Sequence, residues 1–239
     1  MTNQLDPSGP AEARYNLADS QWVRLPRQAR SERTLNRFLD ATAELLADRP
    51  FSEISVNDIV ERANRTVGSF YARFDDKSGV LRVLVEQRAA QLRQEAIDYW
   101  ALDRWTDRCI GDIVSLAVDA VMNAYRNAAP VFHAAAIEAP NDAVFRDLRR
   151  SVWDAAAESF GRLVADHADE VSHPHPERAG QVAMTSLIAI TDLRLIYGAE
   201  VRPLVHADDE ELAADLAAMV MSIIDPVPAG PRPIVPPRP

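Results

Sequence analysis

The chain has 239 residues, 47% of them hydrophobic and 26% charged, with a formal net charge of -10. That length suits one large domain or two modest ones around a real apolar core, while only 8 glycines and 7% aromatics disfavour sandwiches and barrels. The single cysteine, Cys109, excludes an intramolecular disulfide framework and a cysteine-based metal site.

Residues 1–20 are polar, with early Pro and Gly and no apolar periodicity, and 1–23 is expected to be a disordered arm. They lack the basic start and apolar stretch of a secretory signal. No window approaches 18 uncharged apolar residues, so a cytoplasmic chain with no membrane partner is expected. Leu35, Phe38, Leu39, Thr42, Leu45 and Leu46 recur at three- and four-residue steps, which predicts an amphipathic helix over 31–48. Pro50 ends it. Ser55 caps a short helix to about Arg62, with Asp58 completing a capping box, and Asn64 suits the left-handed residue that closes it. A third short helix is expected from Thr66 to Phe74, and a long fourth from after Asp76 toward Trp100. Further helices are expected at about 107–127, 130–138, 142–169, 176–199 and 208–224. The tail 226–239 holds seven prolines in fourteen residues and is expected to be disordered. The fold class is all-α, with about nine helices.

Three short helices, the last two joined by a tight turn, make a helix-turn-helix, whose final helix enters the DNA major groove. Its N-terminal half is small and polar, and Gly68 permits close backbone approach at ~1 kcal/mol of helix propensity. Phe70 and Phe74 are placed to pack on the first helix, leaving Tyr71 and Arg73 facing outward.

The run Ser55-Val56-Asn57-Asp58-Ile59-Val60, then Ala63-Asn64-Arg65-Thr66-Val67-Gly68-Ser69-Phe70-Tyr71-Ala72-Arg73-Phe74, with Lys77 and Leu81, resembles the TetR family of bacterial transcriptional regulators. The resemblance runs from Arg30 to Leu81. It implies a helix-turn-helix DNA-binding domain over 24–77 and a larger helical ligand-binding and dimerisation domain over 78–225. By resemblance, Tyr71 and Lys77 hold phosphates and Thr66, Val67 and Ser69 lie nearest the bases. Arg30, Ser55, Arg65, Gly68 and Arg73 complete the DNA-binding set. Two positions depart from the family pattern: Asn64 replaces the turn glycine, and Arg65 replaces a small apolar turn residue.

Charge placement agrees. Residues 24–77 hold ten basic and nine acidic side chains, +1 net, against -11 for the remainder. From Ala13 to Arg37 there are Arg14, Arg24, Arg27, Arg30, Arg33 and Arg37 against Asp19 and Glu32. An acidic protein needs its positive charge concentrated where DNA docks, and this arm is placed to reach the backbone or minor groove.

The resemblance implies that the last two helices pair with those of a second copy, through Leu187, Ile190, Leu212, Leu216, Met219 and Ile223. One helix-turn-helix reads few bases, so a homodimer is expected. The middle helices carry an apolar, aromatic-rich set suited either to a small-molecule site or to an ordinary core. Its candidate members are Trp100, Trp105, Leu116, Tyr125, Phe132, His133, Ile137, Trp153, Phe160 and Met184. The chain lacks a glycine-rich phosphate loop, a His-Glu-x-x-His and a nucleophile elbow. The His173-Pro174-His175-Pro176 run reads as an interhelical loop, and Cys109 as a buried thiol. No enzyme, cofactor or metal is expected. The sequence thus points to a dimeric repressor on double-stranded DNA, released from a palindromic operator by an apolar or aromatic effector. The alternative is a dimeric DNA-binding regulator without a small-molecule inducer.

Overall fold

The computed structural model describes residues 20, 22–24, 29–197 and 208–225, with the side chains of 29–32 and 127–129 outside that description. The expected disordered tail 226–239 and most of the arm 1–23 lie outside the described residues, as does the side chain of Arg30. The described residues form α-helices and short 3-10 turns, without a strand. The helices are α1 (Ala29–Asp48), α2 (Val56–Arg62), α3 (Val67–Tyr71), α4 (Lys77–Tyr99), α5 (Ile110–Glu138), α6 (Ala143–Asp166), α7 (Pro176–Tyr197) and α8 (Asp209–Ile224). The chain divides into two compact units, Met1–Gln87 and Arg88–Pro239. The division falls inside α4, ten residues beyond the boundary expected at 77.

In the first unit the apolar stripe of α1 is buried as its spacing requires: Leu35, Phe38 and Leu39 are wholly inaccessible. Thr42 joins that buried face because its hydroxyl donates to the Phe38 carbonyl at 2.7 Å, the partner a buried hydroxyl needs. Phe38 meets Phe70 edge-on at 5.4 Å and Phe74 at 6.4 Å, a geometry aromatic quadrupoles favour. These rings fasten the short α3 to α1. An ion pair from Arg62 to Glu44 joins α2 to α1, and one from Arg49, just beyond α1, reaches Asp58 on α2.

In the second unit the segments expected at about 107–127 and 130–138 are one helix, α5, with Pro130 inside it. Proline in a helix interior removes a backbone donor at a cost of ~3 kcal/mol. Phe132, Ala134, Ala135 and Ala136 are buried just beyond it, and that burial offsets the break. Helix α6 packs chiefly on α7, where Gly161 and Gly180 allow close approach. A Cβ on Gly180 would lie 2.9 Å from the Gly161 Cα and 2.8 Å from Val164. Helix α7 is, contrary to the sequence expectation, long and apolar enough to cross a membrane by length and composition. It nevertheless carries Asp192 and Arg194 and buries Ala183, Met184 and Leu187 in the core of this unit.

Candidate nucleic-acid interface

The turn between α2 and α3 begins at Asn64, whose φ of 50° is the left-handed conformation that asparagine tolerates. The Arg65 amide donates back to the Val60 carbonyl at 2.8 Å and closes the turn. Arg65 itself is half-buried, and its guanidinium donates to the Asn64 carbonyl. Thr66 then caps α3, accepting from the Ser69 amide at 3.2 Å, while the Ser69 hydroxyl donates to the Thr66 carbonyl at 2.7 Å. Val67, Gly68 and Tyr71 are exposed, Val67 at 40% and Tyr71 at 48%. A Cβ on Gly68 would meet nothing within 4 Å, so its missing side chain answers no need of the chain's own fold. The exposed face of α3 therefore presents two small residues and a phenol.

Four expected contacts are placed differently. The Lys77 ammonium donates to the carbonyls of Phe51 and Ile54, both at 2.9 Å, with a longer 3.4 Å contact to that of Ser52. It also sits 4.6 Å from the centre of the Phe51 ring. Its three donors brace the 3-10 turn Phe51–Glu53 instead of extending toward phosphate. The Ser55 hydroxyl is spent in the α2 capping box, donating to Asp58 at 2.6 Å and accepting from its amide. Arg73 is half-buried and folds back onto the Ser69 carbonyl at 2.7 Å, so it does not face outward. Burial, and secondarily Arg65, pushes its pKa down. Arg24, taken from sequence as part of a DNA-directed arm, turns onto the Tyr71 carbonyl and Asp75. Arg33 and Arg37 are exposed on α1.

Residues 38–84 match the family model of bacterial regulatory proteins of the tetR family. Over that segment the chain is similar to the tetR family. It is 37% identical to the uncharacterized HTH-type transcriptional regulator YwcC of Bacillus subtilis over 70 residues, 29% of this chain and 30% of that protein. The match therefore spans less than a third of that relative. An uncharacterized HTH-type transcriptional regulator of Haemophilus influenzae is 25% identical over 192 residues, covering 79% of this chain and 87% of its own. Among solved structures, Salmonella enterica GusR shares the fold with a TM-score of 0.57 at 16% identity, over 80% of this chain and 95% of its own.

The second unit holds the residues expected for a ligand and a second copy. Trp100 stacks on Trp105 at 5.4 Å and meets Phe160 edge-on at 5.2 Å. Met184 is fully buried beside them, with Leu116, Tyr125 and Trp153 half-buried against the same core. Phe132 packs instead in a separate cluster with Ala89, and Ile137 is 50% exposed. His133 is half-buried on α5. The expected ligand set is thus largely a filled core. An open groove lies elsewhere, lined by Ala165, Pro174, His175, Pro176, Glu177 and Gln181. Leu187, Leu212 and Leu216 are buried within the chain itself, and Ile190, Met219 and Ile223 pack against the same core. An apolar stripe looks alike in sequence whether its own chain or a copy covers it. The outward face of α7 carries Arg178, Val182, Thr185, Ala189, Leu193 and Tyr197. Cys109 is exposed, not buried.

The sequence reading missed one polar assembly. Asp192, buried on α7, accepts from the Tyr125 phenol at 3.2 Å and pairs with Arg149, which lies over the Trp153 ring. Burial, reinforced by Asp192, pushes the Tyr125 pKa up. An acidic residue in the apolar stretch of α7 was the available signal, since buried charge requires a partner.

Proposed function

We propose that this chain is a DNA-binding transcriptional regulator that reads base edges with the N-terminal half of α3. The observation that carries the reading is the exposed Val67-Gly68 surface, with its open space over Gly68, at the start of a capped helix. Only a face meant for close approach gains from lacking a side chain there. A dimer supplies the second reading head, and the largely apolar α7 face of Val182, Thr185, Ala189 and Leu193 is the surface left for a second copy to cover.

Release by an apolar or aromatic effector is the finer reading, supported by the aromatic composition of the second unit. The tight packing of Trp100, Trp105 and Phe160 favours the second reading, a regulator without a small-molecule inducer, because a ligand there has to displace core side chains. Selection of duplexes from a random pool tests the first claim, with two half-sites expected in the winners. Absence of any enriched sequence overturns it. Tryptophan fluorescence during titration with a panel of aromatic compounds decides the second. A compound that shifts the emission and releases the selected duplex supports an effector, while emission changes without release favour the inducer-free reading.

A further inference from the structure

Helix α3 has only five residues, far below the ~12–15 at which an isolated helix becomes marginal in water. Phe70 fastens its buried face to α1, and what holds its two ends completes its direction. Thr66 holds the first. At the other end, last-turn carbonyls lack partners within the helix, and two arginines supply them. Ser69 O accepts from Arg73 at 2.7 Å, and Tyr71 O accepts from Arg24 Nη1 at 3.0 Å. The Arg24 amide also donates to Arg73 O at 3.0 Å, and its second guanidinium nitrogen pairs with Asp75. The flanking residues seat with it. Val23 is buried, and the Arg82 guanidinium lies 4.7 Å from the centre of the Trp22 ring.

We propose that Arg24 is a positioning residue for sequence-specific DNA binding: it buckles the end of α3 to the N-terminal segment and does not itself hold a phosphate. The proposal rests on the DNA-binding reading above. The ion pair as such contributes little, since Arg24 is 61% and Asp75 83% exposed. The geometry matters more. A planar fork can serve a carbonyl and a carboxylate together, which an ammonium cannot do in the same way.

The test compares Arg24→Ala, Arg24→Lys, Asp75→Asn and the double variant Arg24→Ala/Asp75→Asn. The probes are a duplex selected by the wild-type chain and a random-sequence duplex. Each single variant should weaken the selected duplex about tenfold, the scale of one charge-assisted hydrogen bond. The random duplex and the slope of log affinity against log salt should stay unchanged, and the double variant should be no worse than either single one. Asp75→Asn alters an exposed side chain and keeps the fold, so it reads the buckle even if Arg24→Ala melts. Amide hydrogen exchange over 66–75, measured without DNA, should rise in Arg24→Ala. A slope reduced by about one, equal losses on both duplexes, or tighter binding by Asp75→Asn makes Arg24 a phosphate contact and overturns the proposal. If the wild-type chain selects no duplex, the DNA-binding reading falls by itself. Unchanged exchange over 66–75 then overturns the buckle independently.

Discussion

The two units of this chain are stabilised by different means. In Met1–Gln87 the reading helix α3 and its partner α2 have only five and seven residues, and polar contacts define the ends of this region: the Ser55–Asp58 box, the Thr66 cap, the Lys77 brace and the Arg24 buckle. In Arg88–Pro239 the helices run from 16 to 29 residues and share one large apolar cluster. Short helices cannot sustain themselves, so side-chain caps must define their direction. Long helices need only bury a stripe. A surface that must present a few side chains accurately is better built by the first method, and a scaffold by the second.

The sharpest way to break that contrast is to place a charge in the packed unit. Leu187 is fully buried within the chain, so Leu187→Asp should unfold it, at a cost of several kcal/mol for an unpaired buried charge. Val182 is 47% exposed on the same helix, so Val182→Asp should leave the chain folded and separate the proposed dimer. Urea denaturation and sedimentation measure the two outcomes. If Leu187→Asp gave a folded monomer, the second unit would not be a self-contained core.

The same contrast explains how much was legible in the sequence. Caps and turns are local, so Ser55, Asp58, Asn64 and the Phe70–Phe74 pair could be read from spacing alone, and the structure places them accordingly. The long-range partners of those short elements could not. Nothing within ten residues of Lys77 or Arg24 announces that carbonyls 51, 54 and 71 will occupy their donors. In the second unit periodicity located helices but not their partners. Leu187 and Leu216 therefore read as surfaces for a second copy, and Pro130 read as a break although burial beyond it carries α5 through.

Lys77 tests whether polar bracing is structural. Lys77→Met keeps the stem beside Phe51 and removes the donors to carbonyls 51 and 54. Stability should fall by about 1–2 kcal/mol, while the salt slope of DNA binding stays where it was. An unchanged melting temperature with a slope smaller by about one would return Lys77 to the phosphate role. Gly68 tests the opposite case, a residue the fold does not need. With open space over its Cα, Gly68→Ala should raise stability by up to ~1 kcal/mol and weaken the selected duplex. A variant that is more stable and binds as tightly would remove the close-approach argument.

The smallest expected effect concerns Asp58, where bracing is electrostatic and local. Its carboxylate accepts from the Ser55 hydroxyl at 2.6 Å and the Ser55 amide at 2.8 Å, and pairs with Arg49 at 2.9 Å. The hydroxyl chiefly, then the amide, then Arg49, hold its pKa at about 2, below the ordinary 3.8. A carboxylate with a depressed folded-state pKa stabilises the fold only while ionised. Its contribution is complete above pH 3.8 and disappears as pH falls through about 2. Asp58→Asn leaves an acceptor for the cap but abolishes that titration. Melting temperatures of wild type and variant should differ by a small, constant amount at neutral pH and converge as pH drops between those two values. A difference that persists undiminished at pH 2 would mean that Asp58 acts through shape and not charge, and α2 would then be held much as the packed unit is.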